Sequence, residues 1–177
     1  MLARPASHGF TLVEIMIGLV VLGILMALAA PSFTVWMQNT QIRSAADAVL
    51  NGLQLARTEA IRRNKTVQFV MGTQTEWTVN VVNPLEQLQY RPMEEGSANA
   101  VVQTSPGGAL VVTFDAMGGR STTNDNGTSP IDSIDITSAQ TMAGLRPLRI
   151  VITTSGSLRM CDPDTNLKVG DTRRCTQ

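Results

Sequence analysis

Histidine and cysteine are nearly missing from this chain. The single histidine, His8, precedes a long apolar run, and the two cysteines, Cys161 and Cys175, lie near the C-terminal end. The body of the sequence therefore offers no metal-ligand cluster and no Cys/His or Ser/His pair. It has no glycine-rich phosphate loop either. These absences weigh against an enzyme, and no cofactor is expected. An excess of charge is also lacking: 14 basic residues balance 14 acidic ones. Nothing global draws the chain to nucleic acid or to an anionic surface, so any such patch must be local.

What is present is a hydrophobic segment followed by a domain of mixed composition, and 177 residues are enough for one ordinary domain plus an appendage. Between Phe10 and Ala30 the only polar side chains are Thr11 and Glu14. At about 1.5 Å per residue this run spans about 31 Å, which suits a bilayer core of about 30 Å. It is longer than the ~7–15 apolar residues of a removable secretory signal, although Ala27, Ala29 and Ala30 suit a peptidase. A plain membrane anchor is opposed by Glu14. A carboxylate toward the middle of a spanning helix costs about 2.5–3.5 kcal/mol, so it calls for a function and a partner; near a helix end the cost falls.

A third reading comes from the order of the parts: a short polar leader ending in Gly9, then Phe10-Thr11-Leu12-Val13-Glu14, then the apolar helix and Pro31. This closely resembles the class III signal of type IV pilins and of the pseudopilins of type II secretion systems. The resemblance implies that a prepilin peptidase cuts between Gly9 and Phe10, that Phe10 is N-methylated, and that Glu14 guides assembly. Physical chemistry agrees with such a role. Cutting before the apolar run keeps the anchor and creates an α-amino cation at Phe10. Glu14 of a neighbouring subunit can answer that cation with a charge-assisted contact in low dielectric.

Beyond Pro31, which can bend or interrupt a helix, Ile42, Ala45, Ala46, Val49, Leu50, Leu53, Ala56, Ala60 and Ile61 recur at three- and four-residue steps. They form one apolar stripe, with Arg43, Asp47, Gln54, Arg57 and Arg62 largely off it. Residues 10–64 thus read as one long, kinked helix of about 80 Å. After Asn64 the period becomes two: "TVQFVM", "EWTVNVV", "QLQYR", "ALVVTFD", "SIDIT" and "LRIVITTSG" are β-rich runs separated by turn signals. The expected class is α+β, a helix packed on an antiparallel sheet. The expected organisation is a leader at 1–9, a membrane and assembly helix at 10–30, its amphipathic continuation at 31–64, and a β-rich domain at 65–177. Residues 118–130 read as an exposed loop.

The stretch "IRSAADAVLNGLQLARTEAIRRNKTV", residues 42–67, resembles the helix of the GspH/FimT family of minor pilins and minor pseudopilins, with Arg57, Thr58, Glu59, Ala60, Arg62, Arg63 and Asn64 matching its element. "VTFDAMGGR", "ITTSG" and "CDP" fit that family's strand and tail pattern. The resemblance implies the pilin fold, an inner-membrane precursor with its domain in the periplasm, and later assembly into a pilus or pseudopilus. Its implied partners are prepilin peptidase, the inner membrane, and other minor pilins with the major pilin, or pseudopilins. The leading expectation is a minor pilin in or at the tip of a type IV pilus; the alternative is the H-type minor pseudopilin of a type II secretion system. Taken by themselves, Arg57 and Glu59 do not face each other at a two-residue step and read as separate surface or capping groups. "RRNK" at 62–65 reads as a solvated helix end favoured by the dipole.

A periplasmic location implied by the pilin class permits a Cys161–Cys175 disulfide, whose loop of ~15 residues is worth about 3 kcal/mol. Within it Asp162, Asp164 and Asn166 mimic a calcium loop, but Leu167 stands where glycine is needed and Arg173 where a glutamate belongs. A turn-rich acidic loop is the better reading. Arg146, Arg149, Arg159, Lys168, Arg173 and Arg174 gather nearby and compose a candidate DNA-binding set. The resemblance includes DNA-uptake receptors with a glycine-arginine-x-arginine element. Here that place holds Gly156-Ser157-Leu158-Arg159, and neighbouring aspartates dilute the field.

Overall fold

A computed structural model describes residues 10–95, 97, 99–168 and 170–175, except the side chains of 29–31 and 94. The leader expected at 1–9, including Gly9, lies outside the described residues.

Helix α1 runs Leu12–Arg63. Thr11 opens it in an extended conformation, its hydroxyl accepting from the Glu14 N–H at 3.2 Å, so one of the orphan first-turn donors is satisfied by an N-cap. Asn64 closes it in the left-handed region (φ 52°), its N–H donating back to the last turn, a conformation that asparagine tolerates better than most residues. The axis bends by 44° between Leu12–Leu28 and Ser32–Arg63, the interval that contains Pro31. Neither part passes alone as a membrane-crossing helix by length and composition, whereas the bent pair does.

The second half of α1 buries most of the stripe expected from the sequence: Ile42, Ala45, Ala46, Val49, Leu53, Ala56 and Ala60 are inaccessible or nearly so, whereas Leu50 is half-buried and Ile61, at the stripe's edge, is corrected to exposed. Alanines and Gly52 bring the helix close to the sheet; a Cβ on Gly52 would stand 2.8 Å from the Phe69 ring and 3.0 Å from that of Trp77.

A single antiparallel sheet was the expectation, and the structure corrects it to two. Strands β1 (Val67–Met71), β2 (Trp77–Val81), β3 (Glu86–Arg91) and β5 (Val111–Phe114) pair in the order β3-β2-β1-β5. Strands β4 (Ala100–Ser105), β6 (Ser133–Ser138), β7 (Leu148–Ile152) and β8 (Leu158–Cys161) pair in the order β4-β6-β7-β8. All pairings are antiparallel. Helix α1 packs on both sheets, because each presents one alternating face to it: Val67, Phe69 and Met71 from β1, Trp77, Val79 and Val81 from β2, Ile134 and Ile136 from β6, Ile150 and Ile152 from β7. The α+β pilin class holds. The chain changes sheet three times, before β4, between β4 and β5, and after β5, where residues 115–132 make the longest crossing.

That crossing segment contains the stretch expected to be an exposed loop. Its tip is exposed, but Asn124 is buried: its Oδ1 accepts from Thr113 Oγ1 at 2.9 Å, and its Nδ2 lies within 3.0–3.2 Å of the Val111 carbonyl, Thr128 Oγ1 and the Ser129 carbonyl. One amide thus satisfies the backbone that the loop would otherwise bury unpaired.

Candidate functional site

Among the described residues, none packs over the first half of α1. Every large apolar side chain from Leu12 to Leu28 is 48–75% exposed, around the full circumference of the helix. A helix apolar on all sides requires lipid or other protein around it. Glu14 stands exposed in its first turn, four residues from Phe10, which is itself 79% exposed. There the acid is favoured by the helix dipole, and its backbone N–H is already held by Thr11. The carboxylate is left as the one acidic group in an apolar rod.

Where the rod meets the domain, three amides within about one turn dock it. Gln38 Oε1 accepts from Ser138 Oγ at 2.9 Å. Asn39 donates to the Gly144 carbonyl at 3.0 Å and accepts from the Arg146 N–H at 2.8 Å. Gln41 receives Ser97 Oγ on its carbonyl at 2.8 Å and Asn99 Nδ2 on its side chain at 3.2 Å. These bonds tie the helix to one end of the β4-β6-β7-β8 sheet, where β4 begins, β6 ends and the β6–β7 loop lies, so force on the rod is delivered to the domain. Sequence reasoning passed over all three, since an amide beside an apolar stripe carries no pattern of its own.

A second clamp lies about four turns further along α1. Arg57 Nε donates to the Gly118 carbonyl at 3.0 Å. Gly118 (φ +80°) and Gly156 (φ +75°) sit back to back, and a Cβ on Gly156 would overlap the Gly118 oxygen at 1.8 Å. The arginine of the helix element and the glycines of "VTFDAMGGR" and "ITTSG", read separately along the chain, therefore meet at one point. Glu59 is not part of that contact. It accepts from Arg62 (2.9 and 2.6 Å) and Arg63 (2.8 Å), and Arg63 continues to Glu86 at 2.8 Å. The Arg62 guanidinium, then that of Arg63, pulls the Glu59 carboxyl down to about 2. Arg62 remains mostly exposed, but Arg63 is corrected from a solvated helix end to a bridge between α1 and β3.

Cys161 and Cys175 are joined by a disulfide. The tail it holds lies along β8: the Asp162 N–H donates to Arg173 at 2.6 Å, the Cys175 N–H to Asp162 at 3.2 Å, and Arg159 Nη2 to the Arg174 carbonyl at 2.7 Å. Asp162 and Asp164 accept backbone N–H groups at 3.0 and 2.8 Å in local turns, which is how this loop uses the carboxylates that mimic a calcium site.

The six candidate DNA-binding cations do not form one field. Arg149 is held bidentate by Asp135 at 2.5 and 2.7 Å, and Arg173 by Asp171 at 2.8 and 3.1 Å. Asp171 is pulled down to about 2 by that guanidinium. Arg149 and Arg174 line one groove, Arg146 and Arg173 another; Lys168 lines neither.

An exposed apolar helix with an acid in its first turn, carried on a two-sheet domain, defines a protein of the type IV pilin class. The family profile described as Type II transport protein GspH matches residues 45–170, and that of the prokaryotic N-terminal methylation motif matches residues 4–30. The chain belongs to the GspH family of pilin-like proteins. Two crystal forms of the type IV minor pilin FimU of Pseudomonas aeruginosa share its fold. The first has a TM-score of 0.54 and 15% identity, over 71% of this chain and 91% of FimU; the second has 0.50 and 16%, over 67% and 90%. No curated protein matches the chain. The class is structural and not enzymatic; it carries membrane anchoring, processing by a prepilin peptidase and assembly with other pilins.

Proposed function

We propose that this chain is a minor pilin, stored in the bacterial inner membrane with its domain in the periplasm, cut between Gly9 and Phe10, N-methylated on Phe10, and incorporated in or at the tip of a type IV pilus. The observation that carries the reading is the rod Leu12–Leu28, exposed on every side, with Glu14 in its first turn. In lipid the acid costs free energy, and in a filament a neighbour's new α-amino group answers it. The free-energy difference favours departure from the bilayer and sets the register of the packed helices. The second reading, a minor pseudopilin in a short periplasmic filament, is supported by the family description as a type II transport protein. DNA binding by the tail draws little support, because Arg149 and Arg173 are already engaged by carboxylates.

Intact-mass measurement of the membrane-extracted protein tests the processing: it should show loss of residues 1–9, one added methyl and one disulfide. Glu14→Ala should leave cleavage intact while the subunit fails to enter filaments; normal incorporation of that variant would refute the assembly role. Deleting the gene and scoring surface pili against secreted enzymes separates the two readings.

A further inference from the structure

Trp36, Asn39 and Arg43 follow at three- and four-residue steps and share one face of α1, which forms one wall of a groove of about 600 Å³. Arg146, Asp162 and Arg173 stand on the other side. The mouth nearest the apolar run is aromatic: Trp36 is 63% exposed and its ring lies 5.7 Å from that of exposed Phe33. Trp36 is only about 9 Å of helix beyond the end of the run at Ala30. A bilayer adds roughly 5–8 Å of headgroup layer on each side of its hydrocarbon core, the layer where tryptophan concentrates. With the run upright in hydrocarbon, the 44° bend reduces that length to about 7 Å along the bilayer normal, so Trp36 stands at headgroup level and the groove opens beside it.

The charges are arranged for that setting. Arg173 is engaged by Asp171. Arg146, exposed, is placed near Trp36 by the bond from its backbone N–H to Asn39, and among the described residues no carboxylate pairs with its guanidinium. Arg43 is 74% exposed and touches Asp47 only at 3.9 Å, a surface pair of little strength; Asp47 lies a further turn from the bilayer. The groove thus offers two guanidiniums next to an interfacial aromatic pair, with its acids farther along the helix or engaged, Asp162 excepted.

We propose that this groove receives the phosphodiester headgroup of an anionic phospholipid. The inference rests on the membrane-stored state proposed above. Guanidinium groups match phosphate oxygens in a planar fork, and Trp36 covers the glycerol region. The bound headgroup holds the domain against the bilayer in one orientation until the subunit is drawn into a filament.

The test uses the full chain in phosphatidylcholine nanodiscs that contain, at equal mole fraction, either brominated phosphatidylcholine or brominated phosphatidylglycerol. The readout is tryptophan quenching; Trp77 is buried in the core, so Trp36 reports. Phosphatidylglycerol should be favoured about fivefold, the effect of one cation at an anionic surface. Arg43→Gln with Arg146→Gln should remove the preference and leave the quenching by phosphatidylcholine. Equal quenching by the two lipids, or a preference that survives the double variant, overturns the proposal. Quenching by neither lipid overturns the membrane-stored state along with it. Loss of the preference on adding a DNA duplex or polyglutamate at physiological salt assigns the groove to that occupant and overturns the lipid.

Discussion

Arg57 on helix α1 and Gly118 in the turn after β5 are joined by a 3.0 Å hydrogen bond that crosses 61 residues of chain. Gly156, from the turn before β8, closes on the same carbonyl. The contact pins the helix to a loop from each sheet. A charged donor on a half-buried carbonyl is worth about 1.5–3 kcal/mol, so Arg57→Ala should lower stability by that amount. Gly156→Ala should cost more than about 3 kcal/mol, since it adds a positive-φ strain to an overlap with backbone that no rotamer relieves. Because both residues act on one carbonyl, the double variant should lose less than the sum. Denaturant titration of the full chain in mild detergent measures all three, and strict additivity would falsify the shared clamp.

Gly52 sets two effects against each other. Alanine improves helix propensity by about 1 kcal/mol, while its methyl meets the buried rings of Phe69 and Trp77 at 2.8 and 3.0 Å. Overpacking a rigid aromatic site costs about 1–3 kcal/mol. The second effect wins, and Gly52→Ala should destabilise by about 1 kcal/mol with a shift in Trp77 emission. A stabilised Gly52→Ala would mean that the helix moves off the sheet at little cost.

Helix, stripe and six of eight strands were legible because each carries its own period. Strands β4, "AVVQTS", and β8, "LRMC", were not. β8 is only four residues long, held by β7 on one edge and by the disulfide-closed tail on the other, so tertiary partners and not local pattern decide it. The same holds for the two-sheet split, which rests on the non-local pairings of β1 with β5 and of β4 with β6, and for the Arg57 clamp, whose partners lie 61 and 99 residues away. By contrast Glu14 was legible from sequence alone, because a charge in an apolar run is an anomaly that needs no partner in view.

Acid should weaken the end of α1 before it weakens the core. Glu59 is drawn from 4.5 down to about 2, first by Arg62 and then by Arg63. A depressed carboxyl contributes its stability above its unfolded pKa and loses it as pH falls through the folded one. The window is therefore about 4.5 to 2. With Arg62 mostly exposed the contribution is about 0.5–1 kcal/mol. Asp171 titrates over the same range with Arg173, so the comparison must be with Glu59→Gln: wild type should be the more stable above the window, and the two melting curves should converge toward its lower end. A gap that persists undiminished there assigns Glu59 a role other than its charge.

The disulfide should matter to the tail more than to the sheets. Cys161 and Cys175 close a segment with a separation of 14 residues, worth about 3 kcal/mol in the chain-entropy model. Without it, the tail is held by the two backbone bonds between Asp162 and Arg173 and Cys175, and by Arg159 on the Arg174 carbonyl. At about 1 kcal/mol each, these do not offset about 1–2 kcal/mol of backbone entropy for every residue ordered. Cys161→Ala with Cys175→Ala should therefore leave β1, β2 and β6 protected in amide exchange while residues 162–175 lose protection, and stability should fall by about 3 kcal/mol. Reduction of the wild type should reproduce the pattern. A tail that stays protected after reduction would show that its hydrogen bonds to β8 suffice and that the bridge is redundant.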